Sequence, residues 1–207
     1  METIQLFPTP VATDDWTKHA EVADALCSQF IQANQIKKQD FLTFSSPEAE
    51  YFKALILEST KQYAYSVGQT TGYIILDSSW FRIIEDPNYF VPNHHHPGCW
   101  SSGTFYFTEG QGDLVFVDAR GSVDFEQKYV QDIHGNWHGN CTDYYHKPKQ
   151  YQAIHFPAYV KHMVLPNQNT LRNRIALSWN ITRTDDFGLI EKMNLPKNLV
   201  LALDNNR

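Results

Sequence analysis

Cysteine is scarce in this chain. Its three cysteines among 207 residues, Cys27, Cys99 and Cys141, are odd in number and widely spaced. They form neither a disulfide framework nor a Cys-x-x-Cys metal motif, which fits a reducing compartment. No run of basic residues occurs, and 17 Lys and Arg against 23 Asp and Glu leave a net charge of −6. That balance argues against nucleic acid or an anionic membrane as a generic partner. No apolar span approaches membrane length, and Met1-Glu2-Thr3-Ile4-Gln5 has no basic segment leading into an apolar one. A cytoplasmic location is the expectation, and for that reason the glycosylation patterns at Asn140 and Asn180 carry little weight. Internal repeats, low-complexity linkers, a nucleophile elbow and a phosphate loop are all lacking. Gly110-x-Gly112 misses the third glycine and following helix of a dinucleotide site.

What remains is the composition of a folded globular protein, with 42% hydrophobic and 14% aromatic residues. A chain of this length fits one domain with a substantial core, and 1–207 reads as a single domain. Its first part, about 14–68, is helical. Trp16, Ala20, Ala23, Cys27, Phe30 and Ile31 recur at near-helical spacing, predicting a helix from Asp14 to about Asn34. Ser46 as N-cap, Pro47 at the first helical position and Glu48 beside the positive helix end predict a second, stopped near Gly68. From about 73 to 182 the chain turns to short β-branched and aromatic runs. Ile74–Leu76, Ser79–Ile84, Ser102–Phe107, Leu114–Val117, Ala153–Phe156 and Arg174–Ile181 read as strands separated by turns. Two helices followed by mostly antiparallel strands suggest a β-sandwich or small barrel buttressed by helices. The stretch from about 120 to 145, rich in Gly, Asn, Asp and His, reads as a long loop able to fold over a site.

The chemistry concentrates in Asn93-His94-His95-His96-Pro97, answered by Phe156-Pro157-Ala158-Tyr159-Val160-Lys161-His162 and then Arg174. On an extended strand, alternate side chains share a face, so His94 and His96 point together while His95 points away. With His162 from a distant strand they can bind a mid-series transition metal and leave coordination positions open. Surface histidines in a polar turn bracketed by Pro92 and Pro97 are the plain alternative for the pair alone. On the last strand Arg174, Ala176 and Ser178 share a face; an arginine can grip a carboxylate with two parallel hydrogen bonds and a hydroxyl can add a third. Arg172 has the same parity and competes for that role. His134 and His138 sit among glycines and asparagines, as exposed loop histidines do. His155 fits a structural hydrogen bond, and Tyr89, Phe90 and Trp100 fit core or rim packing.

Taken in order, several segments resemble the 2-oxoglutarate and Fe(II)-dependent oxygenases common among marine bacteria and their phages, in the prolyl-hydroxylase-like superfamily. They are Leu6-Phe7-Pro8-Thr9-Pro10-Val11, Ser79-Trp80, His94-x-His96-Pro97, Ser102–Phe107, Phe156-Pro157, His162, Pro166-Asn167 and Arg174–Asn180. The resemblance implies a mainly β fold with flanking helices, a double-stranded β-helix (jelly roll, cupin-like). It further implies an enzyme, with iron held by His94, His96 and His162. Arg174 would bind the distal carboxylate of 2-oxoglutarate, with Tyr106 as phenol partner and Ser178 as helper. Partners would be 2-oxoglutarate, O2 and a substrate to be hydroxylated with release of succinate and CO2; a homodimer is a further expectation.

One departure from the family matters. A carboxylate usually stands two residues after the first histidine, completing a two-histidine, one-carboxylate triad; here the residue is His96. Either His96 is itself a ligand or a carboxylate such as Asp118 or Asp113 arrives from the neighbouring strand. Lys149-Gln150-Tyr151 also replaces the usual glycine turn. Two rival readings stay open: a cupin-type metal dioxygenase or isomerase without 2-oxoglutarate, and a non-catalytic jelly-roll binding module. The first lacks its glutamate, since Trp100 and Ser101 occupy the expected positions, and neither explains Arg174 as well.

Overall fold

The computed structural model describes residues 9–33, 38–110, 112–117, 130–131, 137–138, 143–166 and 173–203. In chain order its strands are β1 (Ala12–Asp15), β2 (Lys38–Asp40), β3 (Tyr73–Ile84), β4 (Val91–His94), β5 (Ser101–Tyr106), β6 (Leu114–Val117), β7 (Val130–Gln131), β8 (Trp137–His138), β9 (Asp143–His146), β10 (Gln152–Pro157), β11 (His162–Val164), β12 (Arg174–Thr184) and β13 (Val200–Ala202). The helices are α1 (Ala20–Ala33), α2 (Pro47–Ser66) and α3 (Phe187–Met193). A major antiparallel sheet runs β1-β10-β5-β12-β3-β13, with β2 also on β3, and a minor sheet runs β4-β11-β6-β9. A short hairpin pairs β7 with β8.

Side-chain alternation divides the molecule into layers. Phe105, Leu177, Trp179 and Phe81 leave one face of the major sheet and pack with Leu26 and Phe30 of α1 and Phe52 and Ile56 of α2. Trp16 stacks on Trp179 at 6.0 Å and on Phe105 at 5.0 Å in that layer. Tyr106, Ile154, Phe156 and Ala176 leave the opposite face and meet Leu114 and Phe116 of the minor sheet. The site lies on this inner side.

The start of α2 is as the sequence predicts. Ser46 Oγ accepts from the Ala49 amide at 3.2 Å, Pro47 occupies the first turn, and Gly68 follows the C-cap with φ 80°. The first helix starts later than its apolar spacing suggests. Asp14 and Asp15 belong to β1, paired with Ala153 and Gln152, because Asp14 turns inward to accept from the Trp16 indole and Ser59. Ile74–Leu76 and Ser79–Ile84 form one strand, β3, broken in register only where Asp77 is passed over opposite Asn180 and Ile181. Strands also extend beyond the expected core: β1 and β2 precede it and β13 follows it, all on the major sheet. Much of the predicted 120–145 loop lies outside the described residues, but Asp143–His146 is a strand on β6 and two residues each side of the hairpin are strand as well. Asn180 is buried, its amide bonded to Ser102 and Ser78, so that pattern is no glycosylation site; Asn140 lies outside the described residues. Among the described residues, no helix is long and apolar enough to cross a membrane.

Candidate metal and co-substrate site

His94 and His162 are direct cross-strand partners, one closing β4 and the other opening β11. Proline is tolerated at position 92 because β4 is an edge strand. His96 lies past the strand, in a turn closed by Cys99 N–H to His96 carbonyl at 3.3 Å, with Pro97 second and Gly98 third at φ 85°. Such a turn needs a residue free to adopt positive φ at its third position, which glycine supplies. The His96 amide also donates to the Ala158 carbonyl at 2.9 Å. Strand periodicity therefore placed His96 correctly for a different reason: a turn, anchored across the strands, brings its ring back. The three rings have centroids 4.3–5.1 Å apart, and one nitrogen of each lies within 4.8 Å of the others.

Carbonyl acceptors fix the tautomers of two rings. His94 Nδ1 is 2.8 Å from the Pro92 carbonyl and His162 Nδ1 is 2.9 Å from that of Val160, so each Nδ1 carries the proton. Nε2 then remains as the lone-pair donor, the arrangement that orients metal-binding histidines. Burial pushes His162 down to about 3, offset in part by the Val160 carbonyl and reinforced by the neighbouring imidazoles, so the ring is neutral at ordinary pH. Phe116 and Phe156 pack around it. Among the described residues no carboxylate joins the cluster. Asp113 is instead close enough to act electrostatically on Arg174 and Tyr106, and Asp118 lies outside the described residues. Three neutral donors suit Fe(II) and other mid-series divalent ions, and leave the ion's charge unreduced where a carboxylate would lower it.

The cluster opens into a cavity between the two sheets, which Arg174, Tyr106 and Leu114 also line. Arg174 opens β12 and is buried, with Nη1 donating to the Gly112 carbonyl and its guanidinium carbon 5.4 Å from the centre of the Tyr106 ring. Among the described residues the buried Tyr106 hydroxyl finds no acceptor, and Arg174 is the neighbour close enough to donate to its oxygen. Burial raises this phenol to about 12 despite the opposing pull of Arg174, so it stays protonated and can donate. Burial also lowers Arg174 from its ordinary value, but a guanidinium remains charged. A buried cation beside a buried phenol donor is a fitting receptor for a carboxylate. Arg172 lies outside the described residues.

Ser178 is separated from this receptor. It stands four residues along β12, about 13 Å by strand rise, opposite Trp80 and Thr104, and its hydroxyl is 3.1 Å from Thr104 Oγ1. The position next to Arg174 on the inner face is Ala176. Trp80 and Arg82 also line the cavity and were not singled out as site residues from the sequence, although their parity with Ile84 on β3 was the available signal. His155 faces the helices, as a structural residue would, and Trp100 packs on Tyr63 and the helical layer. Tyr89 and Phe90 are exposed, and His134 lies outside the described residues.

A curled pair of antiparallel sheets with an imidazole cluster between them is the architecture of the jelly-roll oxygenases. Residues 78–180 match the family model described as "Putative 2OG-Fe(II) oxygenase", and the chain belongs to this family of Fe(II)- and 2-oxoglutarate-dependent oxygenases. The fold is similar to that of a Pseudomonas putida prolyl-4-hydroxylase, at 14% identity and a TM-score of 0.57 over 85% of this chain and 94% of that one. It is also similar to a non-heme alpha ketoglutarate dependent epimerase, SnoN, from nogalamycin biosynthesis, at 8% identity and a TM-score of 0.64 over 96% and 93%. SnoK, an alpha ketoglutarate dependent carbocyclase from the same biosynthesis, follows at 10% identity and a TM-score of 0.59 over 93% and 89%. No curated protein matches the chain. The family makes Fe(II) and 2-oxoglutarate the cofactor and co-substrate of this enzyme; the neighbours, at these identities, speak for the fold.

Proposed function

We propose that the protein hydroxylates its substrate with release of succinate and CO2, using His94, His96 and His162 to hold the metal and Arg174 with Tyr106 to hold 2-oxoglutarate. The observation that carries this reading is the pairing within one cavity of a three-imidazole cluster and a buried arginine beside a buried phenol whose proton has no acceptor among the described residues. When bound, Fe(II) with 2-oxoglutarate supplies oxygen activation coupled to decarboxylation of the acid. The protein's part is positional. Pro92 and Val160 carbonyls aim the Nε2 atoms of His94 and His162 inward, and burial keeps His162 unprotonated. Arg174 and Tyr106 offer the distal carboxylate charge-assisted hydrogen bonds that fix the acid's direction in the cavity. Leu114, Phe156 and Val164 keep water from its flanks. Ser178 lies four residues further along β12, beside Trp80 and Thr104 on the same inner face.

Anaerobic Fe(II)-loaded protein titrated with 2-oxoglutarate tests the reading through the weak visible charge-transfer band of the chelated complex. The band is expected in the native protein, absent in His162→Ala and reached only at much higher 2-oxoglutarate in Arg174→Ala. Iron loading without any band would refute it.

A further inference from the structure

The cavity holds a second guanidinium that the reading above leaves without a task. Arg82 lies on the inner face of β3, opposite Ala176 and two residues from Trp80, and it lines the same cavity as the imidazole cluster. Its Nη1 donates to the Tyr89 hydroxyl at 3.0 Å, and its guanidinium carbon sits 5.7 Å from the centre of the Tyr89 ring. Tyr89 therefore clamps the side chain, leaving further N–H groups available. Among the described residues Arg82 makes no ion pair with a carboxylate. It is also near enough for its positive charge to be felt at Arg174. A protein of net charge −6 that lines one cavity with two arginines, neither of them paired to a carboxylate among the described residues, is built to take negative charge there.

One acid, 2-oxoglutarate, accounts for Arg174. We propose that Arg82 is the anchor for a second anion, the carboxylate or phosphate monoester group of the substrate itself, and that Tyr89 is its positioning residue. Trp80 fits the same role as a wall. It stands two residues before Arg82 on the inner face of β3, and its ring lies 5.9 Å from that of His96. A small acid whose head is held at Arg82 would run along Trp80 toward the imidazole cluster, presenting its body to the metal end. Such a substrate is a small anionic metabolite rather than a neutral one. This proposal rests on the oxygenase reading for the identity of the site, but its recognition chemistry is testable apart from it.

The test is calorimetric titration of the native protein, with and without Fe(II) and 2-oxoglutarate under anaerobic conditions, using benzoate, phenyl phosphate and neutral benzamide as probes. Either anion is expected to bind and benzamide not to; which anion binds tighter separates a carboxylate from a phosphate substrate. Arg82→Gln should weaken anion binding at least about tenfold, as loss of a charge-assisted pair does, and Tyr89→Phe should weaken it by a smaller factor. Arg82→Gln should still develop the 2-oxoglutarate band, which separates the two guanidinium roles. Equal binding of benzamide, no anion binding in the native protein, unchanged anion binding in Arg82→Gln, or loss of the band in that variant would each overturn the proposal. A native protein that shows no band yet binds the anions through Arg82 would sink the oxygenase reading and leave the anion site standing.

Discussion

His155 shows how a single buried side chain sets a pH dependence. It is enclosed between β10 and α2, with Nε2 2.8 Å from Ser59 Oγ. Ser59 spends its one proton on Asp14 Oδ2 at 2.6 Å, so the imidazole must be the donor and is neutral, with a buried Nδ1 that has no partner among the described residues. Burial lowers its pKa to about 4, slightly offset by Asp14. The folded state thus refuses a proton that the unfolded chain accepts near pH 6.5. The stabilisation is complete above that value and is lost as pH falls toward 4, an effect of up to about 3 kcal/mol. Urea denaturation of the metal-free protein is expected to show stability declining across this window. His155→Gln should be less stable at pH 7 and show a shallower decline; an unchanged slope would mean that other groups set it.

At the scale of elements, the packing of β5 on β12 turns on Gly103. A Cβ built there would lie 2.5 Å from the Trp179 ring, which is fully buried and stacked on Trp16. Gly103→Ala must therefore push Trp179 against the helical layer, an overpacking cost of about 1–3 kcal/mol by denaturant titration. Ser46→Ala should cost about 1 kcal/mol through the lost cap of α2. How legible each element was in the sequence depended on length and local chemistry. Ser46-Pro47 and Gly68 declared both ends of α2, because cap residues act through their own backbone. The start of α1 was hidden, since Trp16, Ala20 and Ala23 keep helical spacing while Asp14 obeys β1. Edge strands of three or four residues, such as β1, β2 and β13, hold too few positions for a period to register. The imidazoles were read as a set from strand alternation, whereas it is the Pro97-Gly98 turn that brings His96 back beside His94. The separation of Ser178 from Arg174 was not, since shared parity gives the face and ignores distance along the strand.

At the scale of the whole molecule, the proposed ligands bridge the two sheets. The imidazoles lie on and beside the minor sheet, at His162 and His94, while Arg174 and Tyr106 belong to the major one. On the proposed assignment, a metal bound only to the cluster would stabilise one side of the cavity, and 2-oxoglutarate held by both the metal and Arg174 would tie the sheets together. Anything that binds the folded state alone raises its stability by mass action, about 2.7 kcal/mol at a hundredfold excess over Kd. For a chain of this size that corresponds to roughly 5–10 °C in Tm. Anaerobic thermal unfolding should therefore show two increments, one on adding Fe(II) and a second on adding 2-oxoglutarate, the second requiring the first. Arg174→Ala should keep the metal increment and lose most of the second, because the guanidinium lies on the far sheet and touches no imidazole. His162→Ala should lose both. If 2-oxoglutarate stabilised the protein equally without metal, the acid would be bound by the arginine end alone, and the coupling between the sheets would have no basis.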